Sequence, residues 1–232
     1  MGITTKGNGR VVFGSRIPPF MNTYSLEFDG MDDYVPLLPL ASAVGFNNVS
    51  YSYWLKTSIP GVYQQYQVPF GGYSNGGAGF SIGLLSTPYL STDLIGGNTI
   101  LNDGVRHNVI NTFDRTTKAR LTYVDGVLTQ TYTYPSYITH FAIGIGSMNG
   151  PAQYYFGGLV DECSHFQRIL TPSEVTTIYN GGTPNDLTSL SPYGWWRNGD
   201  NDTYPNITDL GSGGNNGIMT NMVANNIVIN TP

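Results

Sequence analysis

From Thr23 onward the chain runs in short alternating stretches of apolar and polar residues, separated by Gly, Asn and Pro, with the period of two expected of β-strands. In YSLEF, Leu26 and Phe28 share one face and Glu27 points away. In NVSYSYWLK, Val49, Tyr51, Tyr53 and Leu55 alternate with Ser50, Ser52 and Trp54. Both faces of that strand carry apolar or aromatic surface, so it is expected at the centre of a sheet. RLTYVDGVLTQTY places Asp125-Gly126 between two alternating runs, and Asp-Gly supplies the positive φ angles of a two-residue hairpin turn. One helix is predicted after Leu170. Thr171 is placed to cap it, Pro172 suits its first turn, Glu174 completes a capping box and Gly181 ends it. Beyond it, TPNDLTSLSP reads as a connector. A last stretch from Tyr193 contains the glycine-rich turn GSGGNNG and two short strands.

Composition agrees with an all-β chain. Of 232 residues only 11% are charged, while 30 Gly and 17 Tyr suit strands and tight turns better than helices. The formal charge of -5 gives no bulk attraction for a phosphate backbone, so nucleic-acid binding is not expected. One cysteine makes no internal disulfide and no cysteine-based zinc site. No apolar run approaches the length needed to cross a bilayer or to serve as a signal peptide, so membrane insertion is not expected. Residues 1–22 carry Lys6, Arg10 and Arg16, with no acidic residue before Glu27 and with Pro18-Pro19 near their end. They read as a basic arm, either frayed in solvent or docked on another subunit.

The phrases SLEFDGMDDYV, NVSYSYWLK, GVRHNVINTFDRTTKARLTYVDGVL, FAIGIGSM and YFGGLVDECSHFQRILTPSEVTTIYNGG follow one another in an order that resembles laminin G-like domains of the concanavalin A-like lectin/glucanase superfamily. The resemblance implies an all-β, two-sheet antiparallel jelly-roll sandwich with one short helix. It divides the chain into the arm (1–22), the sandwich (23–182) and a C-terminal segment (183–232). In many such domains text like GWWRNGDNDTYPNITDLGSGGNNGIMTN precedes the first strand, whereas here it follows the helix. Residues 193–222 are therefore expected to complete the sandwich in permuted order or to be donated to a neighbouring copy, since about 40 residues bury no core alone. Segments of this type beside a laminin G-like module are similar to those of marine bacteriophage virion proteins.

Chemistry narrows the reading. A retaining glucanase needs two carboxylates about 5 Å apart, projecting into one cleft. In GLVDECSHF, Asp161 and Glu162 are adjacent and in a regular strand project to opposite faces. Glu174 is accounted for by the helix cap and Glu27 by strand alternation. Gly72-Tyr73-Ser74-Asn75-Gly76 matches the nucleophile-elbow pattern but continues into a strand rather than a helix. Cys163 and His165 share a face, yet two ligands define no metal site. No catalytic residue is assigned. The resemblance implies calcium at a loop rim, with Asp29 and Asp161 at positions where the family keeps acidic residues and oxygen ligands suiting that ion. The alternative is that Asp29 and Asp33 only shape a turn. The loop IPGVYQQYQVPFGGYSNGG gathers Tyr63, Tyr66, Tyr73 and Asn75, rings and an amide suited to a sugar or equally to an oligomer contact. Trp195 and Trp196 are adjacent, so one ring is expected outward as a partner contact, and Trp196 is the candidate.

The expectation is a non-enzymatic virion surface protein, a capsid decoration or fibre subunit assembled in the host cytoplasm. Its arm, through Lys6, Arg10 and Arg16, would contact other virion proteins. Self-association and cell-surface glycan binding are expected with it. A free carbohydrate-binding module is the alternative, and a glycoside hydrolase ranks behind both.

Overall fold

The structure, a computed structural model, describes residues 20–37, 48–58, 67–74, 82–84, 90–92, 95–96, 99–133, 140–147 and 154–230. In chain order its elements are β1 (Tyr24–Asp29), β2 (Val35–Pro36), β3 (Val49–Lys56), β4 (Phe70–Ser74), β5 (Ile82–Leu84), β6 (Leu90–Thr92) and β7 (Ile95–Gly96). They continue with β8 (Arg106–Asp114), β9 (Ala119–Val124), β10 (Val127–Thr133), β11 (His140–Ile145), β12 (Gly157–Phe166) and α1 (Pro172–Tyr179). The last four are β13 (Gly194–Trp196), β14 (Asn206–Ile207), β15 (Gly217–Ile218) and β16 (Ile227–Ile229).

One antiparallel sheet of eight strands runs β10-β9-β8-β3-β12-β1-β16, with β13 also paired to β12. The sheet β2-β11-β4 faces it, and β5-β6-β7 and β14-β15 are smaller additions. Period-two alternation sorts the side chains between two apolar layers. Leu26, Phe28, Tyr51, Tyr53, Leu55, Val109 and Val160 meet Val35, Phe70, Ile143 and Ile145 in the main core. On the other side Ile110, Tyr123, Phe166 and Trp195 pack under Leu170, Val175, Ile178 and Leu187. Strand β3 lies between β8 and β12, as its two apolar faces require. On its outer face Trp54 stacks on Tyr179 of the helix at 6.0 Å.

Local chemistry sets the turns. Asp125 and Gly126 take φ of 51° and 76°, the left-handed pair of a tight hairpin. Helix α1 begins with a Thr171–Glu174 capping box and ends at Asn180 and Gly181, which both take left-handed φ, 46° and 67°.

The C-terminal segment lies within the same sheet. Cys163, Ser164 and His165 of β12 pair with Trp196, Trp195 and Gly194 of β13, while β16 pairs with β1. Strand β1 pairs with residues 157–160 of β12 and β13 with residues 163–165, so the two share one flank of β12. Between them the register against β3 slips by one residue, and Glu162 takes φ of 46°. This is a β-bulge with a non-glycine residue in the left-handed region.

Two expectations are corrected by this geometry. The bulge turns Glu162 to the outer face, where it meets Trp195 and Arg197, so Asp161 and Glu162 share a face instead of opposing one another. Neither tryptophan projects outward: Trp196 is 0% and Trp195 5% exposed. Trp196 enters the main core and donates through Nε1 to the Asn215 carbonyl, so it is no partner contact. Trp195 fills the second layer, because this sheet is covered on both faces.

Candidate functional site

Strand β1 ends in an acidic turn. Gly30 takes φ of 77°, and a Cβ there would stand 3.3 Å from the Cα of Gly157, so the turn sits hard against the start of β12. Asp29 Oδ1 accepts from the amides of Met31 (2.7 Å) and Asp32 (3.2 Å), and Asp33 Oδ2 accepts from the Asp29 amide (3.1 Å). One oxygen from each of Asp29, Asp32 and Asp33 then lies within 4.8 Å of the others. Asp29 and Asp32 are exposed and Asp33 is buried. Burial pushes the Asp33 carboxyl above its ordinary value. The Asp29 amide works against that push, and the charges of Asp29 and Asp32 add to it. Tyr34 and Tyr155, ring centroids 6.4 Å apart, stand beside the turn, and Asn221 Nδ2 donates to the Asp32 carbonyl. Three carboxylates converging from one turn form a hard oxygen donor set of the kind calcium takes, and the turn amides already fix two of them in place.

Asp161 does not join this group. Asp29 pairs with Gly157 in the ladder and Leu26 with Val160, so Asp161 lies four residues further along, about 13 Å away. It is fully buried, forms an ion pair with Arg106 at 3.1 Å and accepts from Ser25 Oγ. Glu162, 3% exposed, accepts from Trp195 Nε1 (2.7 Å), Arg197 Nε (2.9 Å) and Asn22 Nδ2 (2.9 Å). Burial pushes both carboxyls up. The Glu162 charge adds to that push on Asp161 and the Arg106 charge opposes it, while Arg197 opposes it at Glu162. The pair shares a face, as hydrolysis would require, but protein covers it and both acids are engaged by arginines.

The end of the arm seals this region. Arg197 lies 4.2 Å over the Phe20 ring, which stacks on Trp195 at 6.2 Å, and Arg197 also donates to the Met21 carbonyl. Asp200 Oδ2 accepts from the amides of Thr23 and Tyr24. Sequence reasoning missed Phe20, Arg106 and Arg197. Their roles come from contacts spanning 35 to 177 residues, which no local pattern carries.

The remaining candidates fall into place or outside view. Cys163 is buried in the main core with its thiol pushed up by burial, and its Sγ accepts from Asn198 Nδ2. His165 stacks on Tyr51 at 4.9 Å and meets Tyr193 edge-on, so it belongs to an aromatic group. Tyr73 lies on β4 opposite Ala142 of β11. Tyr63, Tyr66, Asn75, Lys6, Arg10 and Arg16 lie outside the described residues.

Comparison with known proteins places this geometry. No curated protein sequence matches the chain. Among solved structures, a candidate carbohydrate binding protein from Bacteroides ovatus superposes with a TM-score of 0.66 at 18% identity over 92% of the chain. The chain spans 61% of that protein's length. The CBM40 module of the Ruminococcus gnavus IT-sialidase, bound to α2,3-sialyllactose, gives a TM-score of 0.52 at 15% identity over 67% of the chain and 96% of the module. The heptameric SAP-like pentraxin of Limulus polyphemus gives 0.50 at 11% identity over 68% of the chain and 82% of that protein. At these identities the likeness is one of fold, a concanavalin A-like sandwich. Residues 29–176 match the laminin G-like profile described as the concanavalin A-like lectin/glucanases superfamily, and the chain belongs to that family.

Proposed function

We propose that the chain is a non-catalytic, glycan-binding sandwich carried on the surface of a bacteriophage virion, held there through its basic arm, residues 1–22. One observation carries the choice of binding over hydrolysis. The carboxylates that share a strand face, Asp161 and Glu162, are buried against Arg106 and Arg197, whereas at the turn three carboxylates converge at the surface, with Asp29 and Asp32 exposed and Asp33 buried beneath them. Buried, ion-paired acids serve the fold, while an exposed oxygen cluster beside Tyr34 and Tyr155 suits an ion and through it a sugar hydroxyl. In this reading Asp29, Asp32 and Asp33 hold calcium, and Tyr63, Tyr66, Tyr73 and Asn75 supply stacking and hydrogen bonds to the glycan. The sequence likeness of GWWRNGD…GGNNG to phage proteins supports the virion setting, and so does the basic character of residues 1–22, with Lys6, Arg10 and Arg16. The copies self-associate on the particle after assembly in the host cytoplasm.

The second reading, a free carbohydrate-binding module, is favoured by the fold likeness to the CBM40 module and the Bacteroides protein. Removing residues 1–19 separates the two while leaving the Phe20–Asn22 seat in place. The virion reading expects loss of incorporation into particles with glycan-array binding retained. Incorporation without the arm sinks it. Glycan binding that survives chelation removes calcium from the proposal, and activity on β-glucans abolished by Asp161→Asn restores the hydrolase.

A further inference from the structure

The chain after β15 runs beside the end of β1. Thr220 bridges to Tyr34, Asn221 Nδ2 donates to the Asp32 carbonyl and Asn226 Nδ2 donates to the Glu27 carbonyl. Large apolar side chains stand open along this seam: Met31 is 73%, Val223 59% and Ile218 54% exposed. Glu27, Asp29 and Asp32 are exposed beside them. Glu27 and Asp29, two residues apart on β1, share the face opposite Leu26 and Phe28. Among the described residues neither Glu27 nor Asp32 meets a cation through its carboxylate. Apolar surface next to uncompensated carboxylates suits a partner that is itself both apolar and basic.

The chain carries such a segment. GRVVFGSRI, residues 9–17, sets Val11, Val12, Phe13 and Ile17 around Arg10 and Arg16, with Lys6 ahead and no acid among them. Phe20 is held against Trp195 and Arg197, where β1 starts, and the seam lies where β1 ends. The Pro18-Pro19 pair next to Phe20 is unsuited to a tight reversal, so the seam of a neighbouring copy is a better fit than the chain's own. From Arg10 to Phe20 the backbone spans at most about 35 Å, enough to cross between touching copies. The seam also keeps its sign with calcium in the turn, because three carboxylates outweigh one divalent ion and Glu27 adds a fourth.

We propose that residues 10–17 of one copy dock in the seam between the end of β1 and residues 218–226 of a neighbouring copy. The apolar residues of the arm lie against Met31, Ile218 and Val223, and its arginines meet Glu27 and Asp32. This rests on the reading of the chain as self-associating and carrying a basic arm, and it names the surface that receives the arm.

The test is the solution mass of the full chain by light scattering, at low ionic strength and with chelator, so that Asp32 is read without an ion. The native chain is compared with the arm reversal Arg10→Glu with Arg16→Glu, the seam reversal Glu27→Arg with Asp32→Arg, and the two reversals combined. The native chain is expected to associate, each reversal to raise the dissociation constant about tenfold or more, and the combination to recover it. A native monomer, a reversal that associates as the native chain does, or a combination that stays dissociated overturns the proposal. A peptide of residues 5–19 added to the native chain requires no variant to fold. It should dissolve the assembly, and an assembly indifferent to it overturns the proposal as well. Glycan arrays and particle incorporation of the native chain are read separately. Association through the arm without glycan binding fails the glycan reading alone, and glycan binding with incorporation by a chain that does not associate fails this proposal alone.

Discussion

Two groups of neighbouring carboxylates meet opposite fates in this fold. At the turn after β1, Asp29, Asp32 and Asp33 converge, and among the described residues backbone amides hold them. At the bulge in β12, Asp161 and Glu162 are drawn under the surface, and each is met by an arginine from another part of the chain. The first group keeps acceptor capacity facing solvent; the second spends its own on donors inside the fold. Proximity of acidic residues therefore says little about function until the cations around them are counted. Burying a charge is tolerated where a partner is buried with it, and an accessible cluster with no cation beside it among the described residues remains available to one.

The sharpest way to break the comparison is to remove a cation from the buried pair. Arg197→Ala leaves Glu162 buried with Trp195 and Asn22 as its remaining donors and frees Phe20 from its guanidinium cover. Breaking one side of a buried ion pair costs about 3–5 kcal/mol. Urea denaturation of Arg197→Ala is expected to show a loss of that order. A loss below about 1 kcal/mol, the range of a surface pair, would mean that Glu162 is not charged there or is not sealed.

A smaller effect is expected at the open turn. Asp29→Asn with Asp32→Asn removes two of the three clustered charges and, without calcium, is expected to change stability little, since both side chains are exposed. With calcium at about a hundred times its dissociation constant, the native chain should gain about 2.7 kcal/mol, and the double variant should gain none. Thermal melts with calcium and with chelator read both. Equal gains in the two proteins would move the ion elsewhere or remove it.

How much of this was legible in the sequence differs between the two groups. The strands around both follow from alternation, and the turn at Asp29 follows from DG in FDGMDDYV. The convergence of Asp32 and Asp33 on Asp29 is local, within five residues, and Asp33 was visible there as a turn-shaping acid. The bulge was not legible. Nothing in GLVDECSHF marks Glu162 for a left-handed conformation, which is ordinarily the place of Gly, Asn or Asp. That one residue inverted the expected facing of the acid pair. The cations that answer the pair lie far off in the chain, at Arg106 and Arg197. The tryptophan pair misled for a related reason: alternation predicts opposite faces correctly, but an outward ring was expected because cover from α1 and Phe20 over the second face is a tertiary fact.

A third group of acids lies between these extremes and gives the smallest and most specific test. His107 bridges Asp125 (Nδ1 to Oδ2, 2.7 Å) and Asp103 (Nε2 to Oδ1, 3.2 Å) at the rim of the large sheet. The hydrogen bond His107 donates to Asp125 raises the His107 pKa above its ordinary 6.5, burial opposes the rise, and the Asp125 and Asp103 charges reinforce it. Because the folded value exceeds the unfolded one, the imidazolium contributes stability that is fully present below about pH 6.5 and is lost as pH rises through the folded value. The native protein should therefore melt higher at pH 6 than at pH 8 by a margin that His107→Asn abolishes. Here the cation is itself titratable, so raising the pH turns a compensated acid pair into an uncompensated one without a mutation. If the margin persists in His107→Asn, the pH dependence belongs to another group.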